Sequence, residues 1–132
     1  MGCKLEKSNG EFSKNRKNKN GLQDYCKICK SSIDNQFHLK SKDKLFEIKN
    51  QLGGVCKKCG EDRLHVLDFH HIDPKDKENE IGRLIYNQRI NWEKIEIEVK
   101  KCILLCACCH RDFHHLERIN NITTEEYLKY NK

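Results

Sequence analysis

Two short apolar runs stand out in an otherwise polar chain of 132 residues. Residues 66–72 combine β-branched and aromatic side chains and end at Asp73-Pro74, which predicts a short strand closed by a turn. Residues 103–105, Ile-Leu-Leu, predict a second buried strand that ends at Cys106. Residues 109–118 are long enough for a helix. The pattern therefore predicts strand, connection, strand and helix, in that order.

A longer helix is predicted before the first strand. Apolar residues recur at helical spacing at Leu45, Ile48 and Leu52, Ser41 is a suitable N-cap, and Gly53-Gly54 supplies the end. Residues 75–90 are highly charged, and their pattern favours neither helix nor strand.

Two more helices are indicated by their capping residues. Asn91 is a suitable N-cap for a helix that carries Trp92, Ile95 and Val99 on one side. Thr123-x-x-Glu126 has the spacing of a capping box and predicts a last short helix. The element order predicts an α+β protein.

Residues 1–40 differ from the rest and predict a separate basic arm before a domain over residues 41–132. Residues 1–30 hold eight Lys or Arg and three Asp or Glu, whereas residues 31–132 hold eighteen and seventeen. The arm thus carries most of the net charge of +6. A polyanion such as DNA is a natural partner for it, and a solvated tail is the alternative interpretation.

The composition predicts a small core that needs reinforcement. Charged residues make up 35% of the chain and hydrophobic residues 36%, with one Trp and five Phe. Apolar burial alone is thin for a domain of this size, and metal sites would add their binding free energy to its stability. No apolar run approaches the ~20 residues of a membrane span.

The nine cysteines predict metal binding. Cys56-x-x-Cys59 and Cys106-x-x-Cys109 lie 46 residues apart, and two such pairs form a closed tetrahedral Zn²⁺ site. Cys102 or Cys108 could replace one ligand, although their spacing is poorer. The odd number and the absence of an apolar leader argue against a disulfide scaffold, so we expect a cytoplasmic protein in a reducing interior.

Four histidines lie at the ends of the predicted elements: His70, His71, His110 and His114. His110 and His114 are four apart and would share one helix face. His70 and His71 are neighbours in a strand and would point to opposite faces. We therefore expect one of that pair to bind a metal and the other to transfer protons. A single histidine is usually only packed or solvated, but chance convergence does not easily explain four.

These motifs resemble the HNH endonuclease family, which has the ββα-metal fold. The resemblance rests on three segments: Cys56-Lys57-Lys58-Cys59-Gly60, then Leu67-Asp68-Phe69-His70-His71-Ile72-Asp73-Pro74, then residues 101–114, whose sequence is KCILLCACCHRDFH. It covers about residues 54–116. Similar proteins are common in phages and mobile elements. The resemblance implies a metal-dependent hydrolase that cuts phosphodiester bonds in DNA, as a monomer or a homodimer.

The resemblance also implies roles for individual residues. His71 would be the general base, and His70, His110 and His114 would hold a divalent cation, Mg²⁺ or Mn²⁺ by preference, with Zn²⁺ or Ni²⁺ acceptable to three imidazoles. Lys101 takes the place of the family's central Asn, which helps to hold the base. Lysine cannot accept the imidazole proton, so another group must orient His71, with Asn91 as one candidate, and Lys101 could contact phosphate.

The N-terminal arm resembles a zinc knuckle with an incomplete ligand set. Cys3, Cys26 and Cys29 supply three thiolates, and His38 is a candidate fourth ligand. Arg16, Lys17 and Lys19 beside it would suit the DNA backbone. The incomplete knuckle and Lys101 leave an alternative open, namely a catalytically inactive zinc-ribbon protein that binds DNA or acts as an adaptor.

Overall fold

A computed structural model describes residues 3, 6–86 and 90–130, and the chain divides into two compact units, Met1–Asp43 and Lys44–Lys132. The first unit contains strands β1 (Phe12–Lys14) and β2 (Leu22–Cys26), which pair antiparallel. Helix α1 (Lys27–Gln51) begins in the first unit and ends in the second. Short 3₁₀ helices lie at Asn9–Glu11, Leu64–Val66 and Pro74–Asp76.

The second unit contains a two-stranded sheet and four further helices. Strand β3 (Leu67–His71) is followed by α2 (Ile81–Tyr86) and α3 (Trp92–Val99), and strand β4 (Cys102–Cys106) leads directly into α4 (Ala107–Asn120) and then α5 (Thr124–Lys129). The protein is therefore a small α+β protein, and its described part has two small antiparallel sheets. Residues 87–89, inside the ambiguous charged segment, lie outside the described residues.

The predicted start of the long helix at Ser41 is wrong. The helix begins at Lys27, and Ser41 lies inside it with its hydroxyl donating to the Phe37 carbonyl at 2.9 Å. Residues 27–40 contain neither Pro nor Gly to stop a helix, and their largely exposed side chains give no apolar periodicity to reveal one. The predicted end is confirmed, because the helix stops at Gln51 and Gly53 and Gly54 adopt positive φ angles of 100° and 65°.

Strand pairing joins the segment that carries His70 to the segment that ends at Cys106. β3 and β4 pair antiparallel in the register Leu67 with Cys106, Phe69 with Leu104 and His71 with Cys102. This register places the paired histidines of β3 opposite the start of β4. Cys106, at the end of β4, therefore lies opposite Leu67 at the start of β3.

The core of the second unit forms two apolar clusters around this sheet. One is built around the sheet, α4 and α5 by seven buried residues: Cys56, Leu67, Leu104, Leu105, Cys106, Phe113 and Tyr127. The other joins α1, α2 and α3 to β4 through Ile48, Ile81, Ile95, Val99 and Cys102. The predicted caps of α3 and α5 are confirmed: the Asn91 side chain accepts the Lys94 N–H, and Thr123 and Glu126 form the capping box.

Among the described residues, no helix has both the length and the apolar character needed to cross a membrane.

Candidate functional site

The four cysteines with the predicted zinc spacing lie together. Their sulfur atoms are all within 4.8 Å of one another, and Cys59 Sγ lies 3.6 Å from Cys106 Sγ. Sulfurs bound to one tetrahedral Zn²⁺ at about 2.3 Å would be separated by about 3.8 Å. Cys56, Cys59, Cys106 and Cys109 therefore could hold zinc. The alternatives Cys102 and Cys108 lie outside the group.

Backbone amides around these sulfurs favour a bound cation. Burial raises the pKa of Cys56, but amide hydrogen bonds from Cys106, Cys59 and Lys58 outweigh it and lower the pKa to about 7. The pKa of Cys109 is raised, first by burial and then by the neighbouring thiols. Four thiols this close together cannot all lose their protons unless a cation neutralises the resulting thiolates. Zn²⁺ supplies that positive charge in a closed site.

His70, His110 and His114 form a second group of candidate ligands. One nitrogen of each ring lies within 4.8 Å of the other two, and the ring centroids are 4.8–5.7 Å apart. β3 supplies His70, and α4 supplies the other two from one face, four residues apart. The structure thus brings together three of the four histidines that the sequence pattern singled out, the three that the family resemblance implies as ligands.

One nitrogen of each of these rings is hydrogen-bonded to a side-chain oxygen. His110 Nδ1 donates to Asp68 at 3.2 Å, and His114 Nδ1 donates to Glu117 at 3.0 Å. The Thr124 hydroxyl donates to the Ile72 carbonyl at 2.9 Å, so its oxygen must accept the His70 Nε2–H at 3.1 Å. These partners leave His70 Nδ1, His110 Nε2 and His114 Nε2 with lone pairs, as metal-binding histidines require.

Two of those lone-pair nitrogens face each other at close range. His110 Nε2 lies 3.1 Å from His114 Nε2. A hydrogen bond between them would need one ring to turn its proton away from its carboxylate. Two nitrogens each about 2.0–2.1 Å from one ion would lie about 2.9 Å apart in octahedral and about 3.3 Å apart in tetrahedral geometry. The three histidines therefore form a group that could hold a metal ion.

His70 is held in its neutral form. It is only 5% exposed, and its ring packs edge-on against Phe113 at 4.5 Å. Burial, followed by the charges of His110, His114 and His71, lowers the pKa of His70 to about 4. A neutral imidazole is the form that binds a metal ion.

His71, the next residue along β3, has a different environment. Its Nε2 lies 2.7 Å from Glu98 Oε1, and its side chain is 12% exposed whereas that of Glu98 is 1% exposed. The Glu98 carboxylate also accepts the backbone N–H groups of Glu78 and Asn79 at 3.0 and 3.2 Å. His71 is thus fixed through one nitrogen by a buried acidic group.

Glu98 stays ionised despite its burial. Burial raises its pKa, but the Asn79 amide, His71, the Glu78 amide and the Lys101 charge outweigh that effect and lower the pKa of Glu98 below its ordinary value. A carboxylate can only accept, so His71 Nε2 is the donor and His71 Nδ1 carries the lone pair. This nitrogen is the one that can accept a proton.

Lys101 lies beside this pair. Its Nζ is 2.8 Å from Glu78 Oε1 and 3.4 Å from Glu98 Oε2, and it donates to the Asp76 carbonyl at 3.1 Å. The hydrogen bond to Glu78 is the main cause of its raised pKa. The ammonium group therefore faces the Glu78 carboxylate and the Glu98 carboxylate, and the latter is bonded to His71. Asn91, the other candidate for that support, is instead occupied as the cap of α3.

The first unit holds a three-cysteine group formed by Cys3, Cys26 and Cys29. The Cys26 amide donates to Cys3 Sγ at 2.9 Å, and the Cys29 amide donates to Cys26 Sγ at 3.4 Å. Chiefly because of the Cys29 amide, the pKa of Cys26 falls to about 7. These three thiols could also bind zinc.

The prediction that His38 supplies a fourth ligand to this group is wrong. His38 lies outside the group, on α1, and its ring contacts Phe37. It follows Cys29 by nine residues of helix, which is about 13 Å along the helix axis at 1.5 Å per residue.

The basic residues predicted to contact DNA lie in the turn between β1 and β2. Arg16, Lys17 and Lys19 are all exposed there. The turn is closed by the Asn15 amide donating to the Gly21 carbonyl at 2.7 Å, with Gly21 at a φ of 70°. Three positive side chains thus project from one ordered turn.

Sequence reasoning missed the residues that hold the histidines. These residues do not recur at the short spacings that mark metal ligands, and only contacts in the folded structure reveal their roles. They are Asp68, Glu98, Glu117 and Thr124. Glu98 alone left a signal: it lies next to Val99 and three residues after Ile95, on the face of α3 that is otherwise apolar. A carboxylate on such a face is costly unless it is paired, and that makes it a candidate for function.

Comparison with protein-family models, with curated proteins and with solved structures found no match to this chain.

Proposed function

We propose that this protein is a metal-dependent endonuclease of the HNH type that hydrolyses phosphodiester bonds in DNA. The observation that carries the proposal is the placement of two different histidine environments at adjacent positions of β3. His70 belongs to a three-histidine group that fits a cation, and His71 is bonded to an ionised, buried carboxylate. The order β3, β4, α4 around the cysteine group is also the order of the ββα-metal fold.

His71 is the proposed general base. With Nε2–H donated to Glu98, its Nδ1 accepts a proton from the attacking water, and Glu98 stabilises the imidazolium that results. The water oxygen bonds to phosphorus, the bond from phosphorus to the 3′ oxygen breaks, and the 3′ oxygen takes up a proton from solvent water. The products carry 5′-phosphate and 3′-hydroxyl ends. Lys101 acts as a positioning residue because it neutralises Glu78 and Glu98.

His70, His110 and His114 are the residues that would hold the divalent cation. When bound there, the cation supplies stabilisation of the negative charge that develops on the phosphate and on the leaving oxygen. Thr124, Asp68 and Glu117 fix the orientation of the three rings. The cysteine group of the second unit has a separate, structural role, because a closed four-sulfur shell leaves no position for water or substrate.

DNA as the substrate is supported by the charge distribution. The exposed turn with Arg16, Lys17 and Lys19 adds phosphate contacts that carry no sequence preference. The net charge of +6 favours association with a polyanion.

A plasmid assay tests the proposal. Supercoiled plasmid is incubated with the protein, with and without Mg²⁺ or Mn²⁺, and nicked and linear forms are counted by gel electrophoresis. We expect cation-dependent nicking that His71→Ala abolishes while the protein stays folded and its DNA binding stays close to wild type. His65→Ala, which changes an exposed histidine away from both groups, is the matched control and should nick normally.

Two outcomes would contradict the proposal. DNA binding without nicking under every cation would favour the inactive zinc-ribbon protein, which the sequence alone left open. Nicking that survives His71→Ala would show that another group is the base.

A further inference from the structure

A small open cavity on α4 lies beside the three-histidine group. It has a volume of about 380 Å³ and is lined by Arg111, His114, Glu117 and Arg118. Since His114 is also one of the three grouped histidines, the cavity and that group share a wall.

Helix geometry brings the two arginines to the same side. Arg111 and Arg118 are seven residues apart, which is two helical turns and about 10.5 Å along the axis. His114 lies between them, at a spacing of three and four residues. Both arginines are exposed. Their guanidinium groups thus border the same opening from its two ends.

The charges of the cavity favour an anion. Glu117 is committed to His114 Nδ1 at 3.0 Å, and Arg118 Nε donates to the His114 carbonyl at 3.1 Å, which steadies the arginine and leaves its two terminal nitrogens available. Within the described part of the chain, neither arginine forms an ion pair with a carboxylate. Two guanidinium charges therefore face one carboxylate whose hydrogen-bonding capacity is already partly used.

We propose that Arg111 and Arg118 bind the phosphate groups that flank the scissile phosphodiester, and so position the strand against His114. Guanidinium groups bind phosphate oxygens through two parallel hydrogen bonds, which fixes orientation as well as affinity. Both are positioning residues, since they act on phosphates that do not react. The inference rests on the proposed function for its substrate, but it can be tested by binding alone.

The salt dependence of binding is the direct test. Affinity for a mixed-sequence 30-base-pair duplex is measured by fluorescence anisotropy between about 50 and 200 mM salt, without added divalent cation. We expect Arg111→Gln and Arg118→Gln each to weaken binding and to reduce the slope of log K against log salt by about 0.9, the value for one lost phosphate contact. Arg118→Lys should keep the slope, because it keeps the charge, while losing part of the affinity.

Arg83→Gln is the matched control, because Arg83 is an exposed helical arginine that is paired with Glu80. Its slope and affinity should match wild type. In the plasmid assay, the Arg111 and Arg118 variants should raise KM and leave kcat within about twofold.

Each outcome is decisive. The inference would be overturned if Arg111→Gln and Arg118→Gln kept the wild-type salt slope. It would also be overturned if they lost no more duplex affinity than Arg83→Gln, or if the wild-type protein did not bind the duplex. Reduced slopes in a protein that never nicks plasmid would support the phosphate contacts and count against the proposed nuclease activity alone.

Discussion

His70 and His71 are neighbours in the sequence, but their side chains have different surroundings in the second unit. Successive residues of a strand face opposite sides, so His70 packs on Phe113 and Thr124 while His71 meets Glu98. One ring is buried and neutral, and the other keeps one nitrogen for a proton. A single step along the backbone thus separates a candidate ligand from a candidate base.

Changing the carboxylate that holds His71 tests this division. Glu98→Gln keeps the size of the side chain but removes the charge that faces His71 and Lys101. We expect nicking to slow by about 10- to 100-fold, as happens when the oxygen partner of a functional histidine is altered. Thermal unfolding should show a loss of about 1–3 kcal/mol for the disturbed buried hydrogen bonds.

Glu96→Gln, at an exposed position of the same helix, is the control for that change. It should alter neither the rate nor the melting temperature. A Glu98→Gln protein that melts early yet nicks at the wild-type rate would reduce Glu98 to a purely structural role.

The pH dependence of stability tests the environment of His70. An unfolded histidine titrates near ~6.5, whereas the pKa of folded His70 is about 4. Between these values the unfolded chain binds a proton that the folded chain does not, so stability falls as the pH falls. At pH 5.5 this group should cost about 1.4 kcal/mol relative to pH 7.5.

Urea unfolding at the two pH values, in wild type and in His70→Asn, isolates that cost. Without added divalent cation, the wild type should lose about 1.4 kcal/mol more than the variant on acidification. Equal losses in the two proteins would mean that His70 is not held in its neutral form.

Several residues of the site could be predicted and others could not, for a physical reason. Cysteine and histidine ligands recur at short spacings that local backbone geometry imposes, so Cys56, Cys59, His110 and His114 are visible in the sequence. The oxygen partners of the histidines come from wherever the folded chain passes. Thr124 is 54 residues from His70 along the chain, and nothing in its local sequence marks the contact.

The elements show the same contrast. Strands β3 and β4 and the ends of α3 and α5 follow from apolar runs and capping residues, which are local signals. The first half of α1 has no such signal, because a polar helix with few buried residues lacks the apolar stripe that identifies most helices. Its start at Lys27 was accordingly missed by fourteen residues.

Helix α5 is hydrogen-bonded to the loop between Cys56 and Cys59. Lys58 Nζ donates to the carbonyls of Tyr127, at 2.7 Å, and of Tyr130, and it lies 4.9 Å from the centre of the Tyr127 ring. Carbonyls at a helix C-terminus have no partner within the helix, and a lysine satisfies them. Since α5 carries Thr124, this attachment also supports His70.

Lys58→Met should therefore loosen α5. Losing the capping hydrogen bonds and the contact with Tyr127 is expected to cost about 1–2 kcal/mol in thermal or urea unfolding. Amide hydrogen exchange in α5 should become faster than in wild type, because the helix end opens more often.

The neighbouring lysine provides a matched comparison. Lys57 is exposed, whereas Lys58 is half-buried, so Lys57→Met removes the same charge without the contacts. It should leave both stability and exchange in α5 unchanged. If the two variants behave alike, the effect is one of net charge and not of the attachment.

On the scale of the whole molecule, a metal ion held by the cysteine group would compensate for a thin core. The chain has 35% charged residues, and the two apolar clusters of the second unit contain twelve buried residues between them. Cys56 and Cys59 belong to the loop before β3, and Cys106 and Cys109 to the junction of β4 and α4. A metal ion bound to all four would link these segments, and its binding free energy would add to the stability of the fold.

Removing one sulfur tests whether the fold depends on that link. Cys59→Ser should lose close to one zinc per chain by elemental analysis and should unfold, or melt at a sharply lower temperature, because losing one of four thiolates opens the closed shell and weakens the link between the two segments. Cys108→Ser is the control, since Cys108 is exposed, lies one residue from Cys109 and is outside the group. It should keep the wild-type zinc content and melting temperature.

His114→Asn should also keep the melting temperature close to wild type, because the histidine group is proposed to act on substrate and not to hold the fold. If Cys59→Ser and His114→Asn lowered the melting temperature equally, the division between a structural and a catalytic metal site would be wrong.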